Sequence, residues 1–262
     1  MENNIPMLAT PISHLFKSDE QAKLIINHSD CLECRDHGID KNYENQEVFH
    51  CELQPIHHLT EDQFIYLKKI KETKKDLKLI SFHLASCFDD PKLERGRFIP
   101  RGNKISRNTL IKKASENFIR IKQIFGSSIQ LAVENNNHYK TEAYDYITRP
   151  EFISEIVEQN DIRFLFDIAH ARISAVNQDV FFEDYINKLP MDRLIQIHIS
   201  KPGYNNVGEI IDKHELPTEE EISEVLHLLE THKEVRYLTV EYYRNTDELV
   251  SLLQILKQKI NA

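Results

Sequence analysis

Residues 162–170 read IRFLFDIAH. An almost unbroken apolar run ends on Asp167, and His170 follows three residues later. A short run that is apolar at both odd and even positions is a strand buried on both faces, as in a parallel sheet covered by helices. An ionisable residue at the exit of such a strand needs a reason, because burying an unpaired carboxylate costs free energy. The same phrase recurs along the chain: His50 in EVFHCEL (47–53), His83 in LISFHLA (79–85), Glu134 in IQLAVEN (129–135), His198 in LIQIHIS (194–200), Asp212 and His214 in IIDKH (210–214), and Glu241 in YLTVEYY (237–243).

Apolar runs near 6–12, 31–35, 47–53, 77–85, 129–134, 162–168, 193–199 and 235–242 read as strands. Amphipathic stretches near 18–27, 61–75, 106–125, 150–159, 180–188, 218–231 and 246–259 read as helices. Thr60, Thr218 and Asn245 stand as N-caps before acidic first turns. Eight strands with intervening helices predict an α/β fold of one domain over 1–262, a closed parallel (β/α)8 TIM barrel. The connection HGIDKNYENQ (37–46) has a loop's composition where a helix is expected. Asp167 and His170 are spaced to leave the strand and enter a loop, with both at the barrel mouth. The irregular stretches 88–105, 135–149 and 200–217 each follow a strand and so belong to the C-terminal face, where barrels build their active sites.

The length of 262 residues is close to the ~250 of a single such barrel. The charge of −9, from 33 basic and 42 acidic residues, argues against a broad nucleic-acid-binding surface. No apolar run reaches the ~18 residues of a membrane span. MENNIPMLATPIS (1–13) lacks the basic start and apolar stretch of a signal peptide, so a cytoplasmic location is expected. Four cysteines do not make a disulfide framework. The lone Cys31-x-x-Cys34 pair has no second pair to complete a zinc site and reads as buried strand cysteines, with Cys87 a small buried residue.

Nine O and N donors, His50, His83, Glu134, Asp167, His170, His198, Asp212, His214 and Glu241, are delivered mostly by separate strands. They are what a barrel needs to hold divalent metals at one mouth. Asp212 and His214 are two apart, so on an extended strand both point the same way. The absence of thiols suits catalytic Fe, Mn or Zn rather than a structural thiolate zinc. Catalysis is expected to depend on Glu134, Asp212 and His170. His57 and His58, leading into a helix, are expected near a pocket, His138 in a loop after Glu134, and His14, His28, His37, His227 and His232 at the surface or on helices. The loop RGRFIPRGNK (95–104) is the best candidate for an anion or acidic-peptide contact.

Glu134, Asp167, His198 and Glu241 resemble the single-metal site of xylose-isomerase-like sugar isomerases and epimerases. The full set resembles the three-zinc site of endonuclease IV-type barrels. Over about residues 45–245 the chain is most similar to a third branch of that superfamily, the multinuclear non-haem iron-dependent oxidative enzymes that modify ribosomally made peptides. The stretches that carry this resemblance are FHCELQPIHHLTEDQFIYLKKIK, FHLASCF, AVENNNHY, FDIAHARISAVNQD, IQIHIS and EIIDKHELPTEEEISEVLHLL. The branch usually has Asn where this chain has His170, a histidine more like that of endonuclease IV, and Gly-His where it has Lys201-Pro202-Gly203. The resemblance implies two or three iron ions among the nine donors, O2 as oxidant and a peptide substrate, with delivery by a partner protein left open. The alternatives are one Mn or Mg in a sugar isomerase or epimerase, and zinc in an endonuclease IV-like phosphoesterase.

Overall fold

The computed structural model describes residues 5–261. Residues 1–4, part of the stretch read for a targeting signal, and residue 262 lie outside the described residues. In chain order the elements are β1 (Met7–Pro11), α1 (Asp19–His28), β2 (Cys31–Arg35), β3 (Val48–Cys51), α2 (Glu61–Thr73), β4 (Leu79–His83), β5 (Lys92–Glu94), β6 (Arg97–Ile99), α3 (Arg107–Phe125), β7 (Gln130–Glu134), α4 (Pro150–Gln159), β8 (Arg163–Asp167), α5 (Ile168–Gln178), α6 (Phe182–Ile186), β9 (Leu194–Ile199), β10 (Lys201–Tyr204), β11 (Ile210–Glu215), α7 (Glu219–Thr231), β12 (Tyr237–Val240) and α8 (Thr246–Ile260). Eight strands close into a barrel in the order β1-β12-β9-β8-β7-β4-β3-β2. Every neighbouring pair in it is parallel. The eight apolar runs are the eight barrel strands. Among the described residues, no helix is long and apolar enough to cross a membrane.

Alternation along the strands sorts side chains between two cores. One parity packs outward against the helices, where Phe49, Phe82, Phe118, Phe164 and Phe166 are fully buried. Each such side chain contributes roughly 1.5–3 kcal/mol of burial. The other parity fills the barrel's lower interior with Ala9, Cys31, Val48, Leu79, Ala132, Leu165, Ile195 and Tyr237. Cys31, Cys34, Cys51 and Cys87 are all free and buried.

Local signals are met where expected. Thr60 and Gln63 form a reciprocal capping box, as do Thr218 and Glu221. Asn245 accepts from the backbone N–H groups of Asp247 and Glu248. The β2–β3 connection holds only a 3-10 turn at Asp36–Gly38, as its composition implied. Three features differ from the reading of the sequence. Helix α5 starts directly at the end of β8, so His170 lies in a first helical turn rather than in a loop. The 180–188 helix shrinks to α6. The irregular stretches 88–105 and 200–217 each contain an antiparallel hairpin, β5–β6 and β10–β11. The first hairpin turns through Arg95 and Gly96, both at positive φ, the geometry a two-residue loop needs to follow strand twist.

Candidate metal centre

The upper interior of the barrel inverts the chemistry of the lower one. Two residues beyond Cys31, Val48, Ala132 and Leu165 stand Glu33, His50, Glu134 and Asp167. Two beyond Ser81 on β4 stands His83, and two beyond Thr239, just past β12, stands Glu241. Register holds neighbours level: His83 pairs with Glu134 and Asp167 with His198. Asp167 also caps α5, its Oδ1 accepting from the His170 N–H at 2.7 Å. That cap winds the chain into a helix and swings His170 over the mouth. The β10–β11 hairpin brings Asp212 and His214 from the side. His214 sits at φ +46, so the pair reaches the mouth through a backbone twist and not through plain extended alternation.

All nine donors converge. Glu134 lies 3.5 Å from His50 Nε2 and 3.1 Å from His83 Nδ1 through one oxygen, and 3.2 Å from His198 Nδ1 through the other. Asp167 Oδ2 is 3.9 Å from both His198 Nδ1 and His170 Nδ1. Asp212 Oδ2 is 3.3 Å from both His170 Nε2 and His214 Nε2. Glu241 is 3.2 Å from His214 Nε2 and 3.4 Å from His198 Nδ1. Within this cluster, His50/His83/Glu134, Glu134/Asp167/His198 and Glu33/His198/Glu241 each offer ligand atoms within 4.8 Å of one another.

The hydrogen bonds behind the rings show what this space requires. His170 Nδ1 is 3.0 Å from the Asn135 carbonyl. A carbonyl only accepts, so Nδ1 carries one proton, and Nε2 then meets the Asp212 carboxylate at 3.3 Å either with a second proton on the ring or, in the neutral ring, as a bare lone pair. His198 Nε2 is 2.9 Å from Glu33 Oε2, and its Nδ1 faces Glu134 and Glu241 in the same way. Lone pair against carboxylate is repulsive unless a cation or a proton lies between them. Glu134 Oε2, Asp167 Oδ2 and His198 Nδ1 are buried without a hydrogen-bond partner, a costly condition that a bound cation relieves. The donor set fits divalent metal ions. A carboxylate or carbonyl behind each ring is the usual support of a metal-binding histidine.

Charge balance points the same way. Four buried carboxylates, those of Glu33, Glu134, Asp167 and Glu241, and the half-buried Asp212 meet one guanidinium, that of Arg35. Burial pushes Asp167 up to about 7, with Glu241 and Glu134 adding to the shift. Burial and the neighbouring His83 push His50 down to about 4. Burial works against the charge on Glu134 and Glu241 too, but the surrounding histidines, with Arg35 at Glu241, hold both well below the usual carboxylate range.

Glu33 and Arg35 were missed by sequence reasoning. Glu33 is wholly buried. It accepts from Gln196 at 2.7 Å and lies 2.7 Å from Arg35, which also pairs with Glu241. Burial would raise its carboxyl, but Arg35 and His198 together lower it to about 2. The available signal was a charge two residues after Cys31 in CLECR, the same step that marks His50 and Glu134. The remaining histidines stay outside the cluster: His57 bonds the Ser86 carbonyl at 2.8 Å and His138 bonds Thr148 at 2.9 Å. Of the four cations of the 95–104 loop three are already paired, while Arg95, exposed at the hairpin turn, is in none of the ion pairs. Arg97 pairs with Glu209, Arg101 with Asp90, and Lys104 with Glu142 and Asp145.

The family model described as RiPP precursor modification enzyme MbnB/TglH/ChrH matches residues 56–261. The chain belongs to this family. Its members are enzymes acting on ribosomally made precursor peptides, and eight of the nine donors fall in the matched stretch, with His50 just before it. A UPF0276 protein of Caulobacter vibrioides is 30% identical over 93 residues, 35% of this chain and 32% of that one. A UPF0276 protein of Nitrosospira multiformis is 26% identical over 154 residues, 57% and 51% of the two chains. The chain thus spans about a third to a half of the length of these curated relatives. Among solved structures, the 3-keto-D-glucoside 4-epimerase of E. coli superposes with a TM-score of 0.61 at 15% identity, covering 97% of this chain and 99% of that one. The D-psicose 3-epimerase of Clostridium cellulolyticum H10 gives 0.61 at 10%, covering 97% and 98%. These likenesses show the fold, a xylose-isomerase-like TIM barrel.

Proposed function

We propose that this MbnB/TglH/ChrH-family chain is an oxidative enzyme that uses two or three iron ions and O2 to modify a residue of a ribosomally made peptide. The observation that supports it is the surplus of donors. Five imidazoles and four carboxylates of the set of nine share one cluster, more than a single ion accepts. His50, His83 and Glu134 would hold one ion. Asp167, His198 and Glu241, with Glu134 between, would hold a second, and His170, Asp212 and His214 a third. Bound iron would supply one-electron chemistry with O2 for removing hydrogen from the peptide residue. The chain's own part is to fix the ligand atoms: Glu33 orients His198, Asn135 orients His170, and the apolar layer beneath keeps water from entering below.

A single Mn or Mg in a sugar epimerase would use Glu134, Asp167, His198 and Glu241 and leave the other five donors idle. Zinc in a phosphoesterase is favoured by His170. Metal analysis of protein purified without oxygen separates the three readings. Two or three irons per chain, with O2 uptake on adding precursor peptide, is the expected result; one Mn per chain, or zinc alone, would overturn it.

A further inference from the structure

A cleft of about 640 Å³ opens beside the cluster and shares Arg35, His214 and Tyr243 with it. The loop after β1 and the β2–β3 connection supply the rest of its walls. Its charged and imidazole lining is His14, Lys17, Arg35, His37, Lys41 and His214, and no carboxylate lines it. In a chain of net charge −9 this is a local inversion of sign.

The inversion is arranged by pairing. Three acidic residues on the same connection are engaged elsewhere: Asp36 accepts from the Glu52 N–H at 2.7 Å and the Tyr66 hydroxyl at 2.6 Å, Asp40 pairs with Lys69 at 3.3 Å, and Glu47 accepts from the Tyr237 hydroxyl at 3.0 Å; the fourth, Glu44, is exposed and does not line the cleft. The ammonium groups of Lys17 and Lys41 have no ion-pair or hydrogen-bond partner among the described residues, and both side chains are exposed. Arg35 Nε is buried and unpartnered as well. The walls that carry these groups are fixed. The Lys41 carbonyl accepts from Gln46 and Lys74, and the Phe16 and Tyr43 rings lie tilted against each other at 5.4 Å.

We infer that this cleft binds a carboxylate of the peptide substrate, through Lys17 and Lys41, while the residue to be modified lies at the cluster. The inference rests on the reading of the chain as a peptide-modifying enzyme. The carboxylate is either a side chain near the modified residue or the peptide's free C-terminus. Both present the same anion to the same two ammonium groups.

The test uses the metal-loaded full chain and three labelled alanine peptides, which avoid thiol binding to metal: one amidated and neutral, one with a free C-terminal carboxylate, and one amidated with a single Glu. Fluorescence anisotropy at low and high salt gives their affinities. At least one anionic peptide should bind about tenfold more tightly than the neutral one, and the advantage should shrink with salt. The one that does identifies the source of the carboxylate. In Lys17→Glu/Lys41→Glu the advantage should vanish while neutral binding and metal content stay unchanged. Equal binding of all three peptides overturns the inference. So does an advantage that survives the charge reversal, since the anion would then be captured at the metals. A lysine-dependent advantage in a protein that carries zinc or takes up no O2 would leave the cleft assignment standing and remove the oxidative one.

Discussion

The lower and upper halves of the barrel interior are built on the same strands, one pleat repeat apart, and obey opposite rules. Below, eight apolar side chains fill the space. Above, two residues further along the same strands, stand Glu33, His50, Glu134 and Asp167. The lower layer gains free energy from burial. The upper one loses it, because desolvating a charge costs several kcal/mol even after relaxation. A fold tolerates the second layer only because the first, with the phenylalanine-rich outer core, supplies stability in excess. The difference assigns stability and chemistry to separate residues, and that separation can be attacked.

The largest effect is expected at Glu134, whose two oxygens face His50 and His83 on one side and His198 on the other. Glu134→Gln should lower turnover by two orders of magnitude or more and strip most of the metal, on the scale of removing an interaction made in the transition state, with the far-UV circular dichroism unchanged. Leu165→Ala, one pleat below Asp167, should do the reverse. A cavity at that fully buried position should cost about 2–5 kcal/mol in urea unfolding while the surviving folded protein keeps its metal. If the two variants lose stability equally, the division between the layers is wrong.

Glu33→Gln sharpens the comparison. The amide keeps the shape but no longer holds the His198 ring as a carboxylate does. Metal affinity should fall about 10–100-fold, the usual cost of losing such a support, as measured by competition with a chelator; unchanged affinity would show that Glu33 only balances Arg35. His170→Asn should alter the occupancy of one metal position and leave part of the activity, because Asn is the residue that the resemblance implies at this place. Unchanged metal content and activity would remove His170 from the site. The smallest effect is expected at Arg101, whose exposed pair with Asp90 lies in the loop first read as an anion contact. Arg101→Ala should change stability by less than about 1 kcal/mol and leave peptide affinity within twofold of the parent.

The barrel was legible because strands buried on both faces leave runs such as LKLIS and IRFLF, which few other structures need. The ionisable residues that meet at the mouth were legible for the same reason, since a charge in such a run needs a partner. Helix α5 was not. IAHARISAVNQ follows β8 without a break, and buried residues surround much of it, including Ile168, Ala171, Ile173 and Ser174, which blurs the one-faced pattern of a surface helix. The one local clue was Asp167 itself, an N-cap three residues before His170. Glu33 hid in the short CLECR run behind two cysteines that drew attention to metal-thiolate chemistry. Arg35 was hidden by its neighbour, because a charged pair on one strand reads as a surface feature until the barrel closes around it. The cationic cleft could not be read at all: its six charged and imidazole residues come from three separate segments, and its sign depends on which acids are already paired.

The β10–β11 hairpin has its own two-stranded ladder and shares no hydrogen-bonded register with the barrel, yet it carries Asp212 and His214. At Gly203 an added Cβ would meet only the flexible ends of the Lys213 and Glu215 side chains, which are free to swing aside. Two of the nine donors therefore arrive on a detachable cassette, while the others are cast into the body of the molecule. On the proposed function, trimming or exchanging residues 201–215 would let a barrel of this kind gain or shed a coordination position without breaking any hydrogen-bonded strand pairing of the cylinder itself.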